Sequence, residues 1–66
     1  MQGMISAFDT KGGYGIIDAD DGQIVFFNLD NVESGDPSRI TVGTRVEFHS
    51  HDEDFGPHAD RVLVPA

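Results

Sequence analysis

The sequence predicts an all-β fold: five short strands closed into a small barrel. Three observations lead there. Apolar residues recur in short alternating runs, and no helical spacing is sustained. Turn signals separate the runs: Asp9-Thr10-Lys11-Gly12-Gly13, Asp20-Asp21-Gly22 and Gly35-Asp36-Pro37. The chain has 66 residues and no cysteine. A domain this short buries only about 60% of its unfolded surface and has no disulfide to help it, so a closed architecture with few exposed edges suits it best.

The first run, Gly3 to Phe8, carries Ile5 as its core residue. The turn over residues 9–13 follows, where two glycines can supply positive φ. Tyr14 to Ala19 is the second run, and Asp20-Asp21-Gly22 is an Asp-Gly hairpin turn leading into the third, Gln23 to Leu29. A longer connection, Asp30 to Val42, is broken by Gly35, Asp36 and Pro37 and has room for one short helical turn near Asp30 to Glu33. In the fourth run, Thr44 to Ser50, Val46, Phe48 and Ser50 share one face; Arg45, Glu47, His49 and His51 share the other. An acidic turn over His51 to Pro57 leads to the fifth run, His58 to Val64. The expected core is Ile5, Ile17, Val25, Phe27, Val32, Val46, Phe48, Val62 and Val64. A three-strand meander, a long loop and two further strands make a five-stranded antiparallel oligonucleotide-binding barrel (OB-fold), with residues 1–66 as one domain.

The charge is one-sided. Twelve Asp and Glu stand against four Lys and Arg, a formal net charge of −8, and Lys11 is the only lysine. The acids are spread along the chain, which describes an acidic folded surface and not a tail. Such a surface suits a protein working in concentrated salt, one that avoids nucleic acid, or one that meets a basic partner. The lack of cysteine excludes disulfides and thiolate metal sites. There is no apolar run of signal-peptide or membrane-spanning length, and Met1-Gln2-Gly3-Met4 lacks a basic leader region. These features predict a cytoplasmic protein with no membrane partner.

Alternation then decides which rings face outward. With Gly15, Ile17, Val25 and Phe27 inward, Tyr14, Ile16, Phe26 and Asn28 share the outer face, within reach of Phe8 at the end of the first strand. Exposed aromatics are costly unless they serve a ligand. Stacking on bases, worth about 1–3 kcal/mol per base, is one such service; partial cover by the long loop is the plainer account of the same rings.

These residues resemble the cold-shock domain family from Gly3 to about Leu63. The resemblance rests on Gly13-Tyr14-Gly15-Ile16-Ile17, the Asp20-Asp21-Gly22 turn, Val25-Phe26-Phe27, Val42-Gly43 with Val46 and Phe48, and Gly56-Pro57 before the last strand. It implies a five-stranded barrel that binds single-stranded RNA or DNA, as RNA chaperones or expression regulators do. On that resemblance Phe8, Tyr14 and Phe26 take ring positions of the binding platform and stack bases, flanked by Ile16. Lys11 touches phosphate, and Asn28 and His58 offer hydrogen bonds to bases.

The departures from the family pattern matter as much. Its usual Lys-Trp-Phe-Asn reads here Ser6-Ala7-Phe8-Asp9. The second aromatic of the glycine motif is Ile16, the family's His-Phe after the third-strand core is Asn28-Leu29, and the lysine before the motif is Gly12. Phe55 replaces the basic residue before Gly-Pro. At about 1–3 kcal/mol per ring, the platform loses several kcal/mol. The acidic surface adds repulsion, so binding is expected to be weak, above about 1 μM, at ordinary salt. At about 1 M salt the Debye length shrinks to about 3 Å and repulsion is screened. The alternative expectation is an acidic protein-interaction module on the same barrel, serving a basic protein partner.

Other chemistries fit less well. His49 and His51 share a strand face at a spacing that can chelate a metal, but a solvated strand and an acidic turn account for them, so no metal or other cofactor is expected. Asp18, Asp20 and Gly22 fail as a calcium loop, because the glycine comes one position early and the twelfth position is Leu29. Gly12, Gly13 and Gly15 are not followed by the Gly-Lys-Ser/Thr of a phosphate loop. Neither Ser6 nor Ser50 has a triad context, and the density of acids explains the paired carboxylates, so the chain is not read as an enzyme.

Overall fold

The structure is a computed structural model that describes residues 1–33, 40–54 and 56–64. Five strands appear in chain order: β1 (Gln2–Asp9), β2 (Tyr14–Ala19), β3 (Ile24–Asn28), β4 (Arg45–Glu53) and β5 (Gly56–Leu63), with a 3-10 turn, Leu29–Asn31, after β3. They close into a barrel in the order β1-β2-β3-β5-β4. Four junctions are antiparallel; the fifth joins β3 to β5 in parallel at Phe26–His58.

The alternation of each run selects its inward face. Ile5, Ile17, Val25, Phe27, Val46, Phe48, Val62 and Val64 are buried, as expected from the sequence. Val32 differs. It is only partly buried, bridges Val62 and packs against the rim of the core, while Ile40, Ala19 and Ala59 are buried in the interior. The long connection therefore sends Ile40, and not Val32, fully inside. Gly35, Asp36, Pro37 and Phe55, which the sequence reading singled out, lie outside the described residues.

Two irregularities position the outer face. Between Ile5 and Ala7 the β1–β2 register shifts, leaving Ser6 as the extra residue. A bulge of this kind puts consecutive residues on the same side, and Ser6 and Ala7 are both exposed. The second shift falls between His49 and Ser50 on β4, where Asp60 of β5 is the extra residue. The helical turn expected near Asp30 to Glu33 is the single turn Leu29–Asn31. The acidic turn expected from His51 to Pro57 is much tighter: β4 runs on to Glu53, and His51–His58, Asp52–Pro57 and Glu53–Gly56 all pair. Acidic residues read as a loop because they are solvated, but on an exposed hairpin they can equally well occupy strand positions.

Candidate nucleic-acid interface

Strand pairing sets the outer face in rows. One row runs Asp9–Tyr14–Asn28 across β1, β2 and β3. The next runs Ala7–Ile16–Phe26–His58–His51 across all five strands. Tyr14 is 51% exposed and Phe26 37%, with Ile16 partly buried between them. The face thus offers two separate rings with an aliphatic floor, a surface on which planar groups can stack.

The turn at residues 9–13 sets the Tyr14 ring. Asp9 Oδ1 accepts the Lys11 N–H at 2.9 Å and the Gly12 N–H at 3.1 Å, and Gly13 N–H donates to the Asp9 carbonyl at 2.9 Å. Gly13 takes the left-handed conformation, φ 70. Gly12 is not among the positive-φ glycines; it gives close approach instead, since a Cβ there would lie 2.3 Å from the Tyr14 ring. The backbone N–H of Gly12, then that of Lys11, with the Tyr14 hydroxyl adding, hold the Asp9 carboxyl below its usual range. Asp9 is therefore a firm anion beside the first ring.

Asn28 and His58 face each other across the β3–β5 junction, Nδ2 to Nε2 3.4 Å. Asn31 ties this corner together. Its Oδ1 accepts the Asn28 N–H at 3.2 Å and its Nδ2 donates to the Asp60 carbonyl at 3.3 Å. Sequence reasoning missed Asn31; its position three residues after the last β3 residue, where a cap can reach back, was the available signal.

The structure brings Tyr14, Ile16, Phe26, Asn28 and His58 onto one face and turns Phe8 the other way. After the Ser6 bulge, Phe8 pairs with inward-facing Gly15, is half-buried, and stacks on Phe27 with ring centroids 6.0 Å apart and planes 10° apart. Gly15 makes room: a Cβ there would lie 2.7 Å from the Phe27 ring and 2.6 Å from the Ala7 carbonyl. Lys11 is exposed in the turn beside Tyr14.

Positive charge is scarce here. Arg45 makes a two-pronged contact with Asp20, at 3.0 and 2.8 Å, which holds the Asp20 carboxyl below its usual range and raises Arg45. Arg61 is held by Glu33. On β4, His51 Nε2 meets Glu53 Oε1 at 2.6 Å and Nδ1 meets Asp60. The hydrogen bond to Glu53, with the charges of Asp60 and Glu53 adding, raises the His51 pKa above its ordinary 6.5. Among the described residues no group of three or more His, Asp or Glu is placed to hold a metal ion. Around His51 the reason is geometric, because its two carboxylates approach opposite ring nitrogens and do not share a point.

The family model described as "'Cold-shock' DNA-binding domain" matches residues 1–65. The chain belongs to the cold-shock domain family. A cold shock-like protein of Thermotoga maritima is 36% identical over 64 residues, covering 97% of each chain. Cold shock-like protein CspF of Escherichia coli is 38% identical over 65 residues, 97% of this chain and 93% of the relative. Cold shock-like protein CspC of Bacillus cereus is 32% identical over 63 residues, 96% and 97%. The cold-shock domain is a nucleic-acid-binding family and not a family of enzymes, which places this chain's class at family level. No helix among the described residues is long and apolar enough to cross a membrane.

Proposed function

We propose that this chain binds single-stranded RNA or DNA, as a cytoplasmic single domain, through the outer face of β2, β3 and β5. Tyr14 and Phe26 each stack one base, with Ile16 as the apolar floor between them. Asn28 and His58 offer hydrogen bonds to base edges, and Lys11 meets a phosphate. Phe8 acts from the inner side: stacked on Phe27, it supports the sheet under the platform. The observation that carries this reading is the pair of exposed rings on adjacent rows of a cold-shock barrel. Base stacking tolerates any sequence, so the chain suits loose handling of unpaired strands, as in an RNA chaperone.

Binding is weak at ordinary salt. Two stacked bases supply about 2–6 kcal/mol, while Arg45 and Arg61 are occupied by carboxylates, Asp9 ends the Tyr14 row and Asp18 lies in the row beyond Ile16 and Phe26. A conventional binder loses affinity steeply as salt rises, because its cations release counterions. Here few cations reach the strand and screening removes repulsion, so affinity is expected to stay flat or rise toward about 1 M salt. Titration of labelled oligo-dT and oligo-U heptamers at low and high salt tests this. A folded protein that binds neither heptamer at either salt sinks the proposal.

The occupied arginines also favour a second reading, in which the acidic barrel serves a basic protein partner. A defined arginine-rich peptide that binds and is displaced by RNA supports it; oligonucleotide binding without peptide binding removes it.

A further inference from the structure

The ring row does not stop at His58. It continues to His51 on β4, whose ring centroid lies 6.1 Å from that of His58. His51 is exposed on the same outer face and has a carboxylate at each nitrogen, Glu53 from its own strand and Asp60 from the β5 bulge. The other groups facing this cluster are His49 on β4, Arg61 of β5 (itself held by Glu33), and Asn28 of β3 against His58. Asp52 and Asp54 add charge at the hairpin end.

Resting on the nucleic-acid reading above, we propose that the interface extends across β5 onto β4, where the proton on His51 governs whether the phosphodiester backbone can pass Glu53 and Asp60. With the His51 imidazole neutral, it and its two carboxylates carry two negative charges beside the strand. With it protonated, they carry one. His51 acts through its carboxylate neighbours and is a positioning residue; His58 touches the strand. Adjacent strands lie about 4.8 Å apart, so His51 sits about 10 Å from Phe26. That is close to one Debye length at about 0.1 M salt, so a phosphate flanking the base on Phe26 feels the change. The affinity for single strands therefore rises as pH falls through the His51 range, by about twofold at low salt.

The raised pKa of His51 fits this arrangement, since the protonated ring can donate one N–H to each carboxylate. Linkage requires the reciprocal effect: a bound strand must raise the protonation midpoint of His51 further.

The test measures heptamer oligo-dT affinity at about pH 5.5 and pH 8 for the native chain, His51→Gln and the Glu53→Gln/Asp60→Asn double variant, with the imidazole signals of His51 followed by NMR with and without oligonucleotide. The native chain should bind about twofold tighter at the lower pH. His51→Gln should lose that gain, and the double variant should bind more tightly than the native chain at about pH 8. The His51 midpoint should move up when the strand is bound. Binding of equal strength at both pH values, or a His51→Gln variant with the full gain, overturns this proposal and leaves the stacking platform standing. No binding at any pH by folded protein overturns both.

Discussion

The two halves of the outer face solve the same problem with different chemistry. Over β2 and β3, the outward side chains are Tyr14, Ile16 and Phe26, the proposed contact surface, held by a glycine turn and by a core whose Phe27 ring lies beneath Gly15. Over β4 and β5, the side chains are His51, His58, Glu53, Asp60 and Arg61, and almost every one is engaged by an opposite charge or a polar neighbour. Ring stacking is little affected by pH or salt. The charged half is exposed throughout and responds to both. On the proposed reading, this acidic chain keeps affinity and control apart: rings supply attraction, and ionisable groups set how much repulsion opposes it.

The largest effect should come from the support beneath the rings. In Gly15→Val the new side chain meets the Phe27 ring and the Ala7 carbonyl, both fixed. Overpacking typically costs about 1–3 kcal/mol, and backbone crowding adds to it. Against a total stability of about 5 kcal/mol for a domain this small, the urea midpoint should fall by a large fraction and both halves of the face should be lost together. A midpoint close to native would mean that the platform does not depend on this close approach.

Phe26→Ala should separate the halves. Phe26 is exposed, so stability should change little, while oligonucleotide affinity drops by about 1–3 kcal/mol, roughly 5- to 150-fold. The pH dependence of whatever binding remains should persist, because His51 and its two carboxylates are still present. A variant that binds as the native chain does would remove stacking from the account.

The charged half leaves its own mark on stability. His51 has a raised pKa in the folded chain, so its contribution is fully present below the ordinary value of 6.5 and is lost as pH rises through the higher folded value. Asp20 runs the other way. Its pKa is lowered by Arg45, so its contribution is present above 3.8 and is lost as pH falls through the lower folded value. Both groups are exposed and the effects should be small. Thermal melts of the native chain and His51→Gln between about pH 6 and 8.5 should differ in slope, with the native midpoint declining as pH rises.

The smallest expected effect is a gain. In Asp9→Asn the side-chain oxygen still accepts the Lys11 and Gly12 N–H groups, so the turn survives, while one anion beside Tyr14 disappears. Affinity for oligo-dT at low salt should rise about two- to threefold and the gain should vanish at about 1 M salt.

Much of this could be read from the sequence, and the exceptions have physical reasons. Period-two alternation set the faces of β2 and β3, because the polar Asp18 and Asn28 face outward and leave Ile17, Val25 and Phe27 on the opposite, inward side. It could not fix Phe8, because Ser6 and Ala7 are small enough to face either way and conceal the bulge that turns Phe8 toward Phe27. The Asp60 bulge was hidden in the same manner, and with it the contact to His51. Whether Val32 or Ile40 enters the core depends on the path of a long connection, which no local pattern encodes. The family resemblance pointed to Tyr14 and Phe26, which the structure leaves exposed, whereas His51 lies in a stretch whose acidity imitates a turn.

The most direct test of the central claim is chemical-shift mapping of the folded chain with a single-stranded heptamer. Shifts concentrated on Tyr14, Ile16, Phe26, Asn28 and His58, weakening toward β4 at high pH, are the predicted result. Shifts confined to another surface, such as the exposed Met4 and Ile24 pair on the same sheet, or no shifts at all, would contradict it.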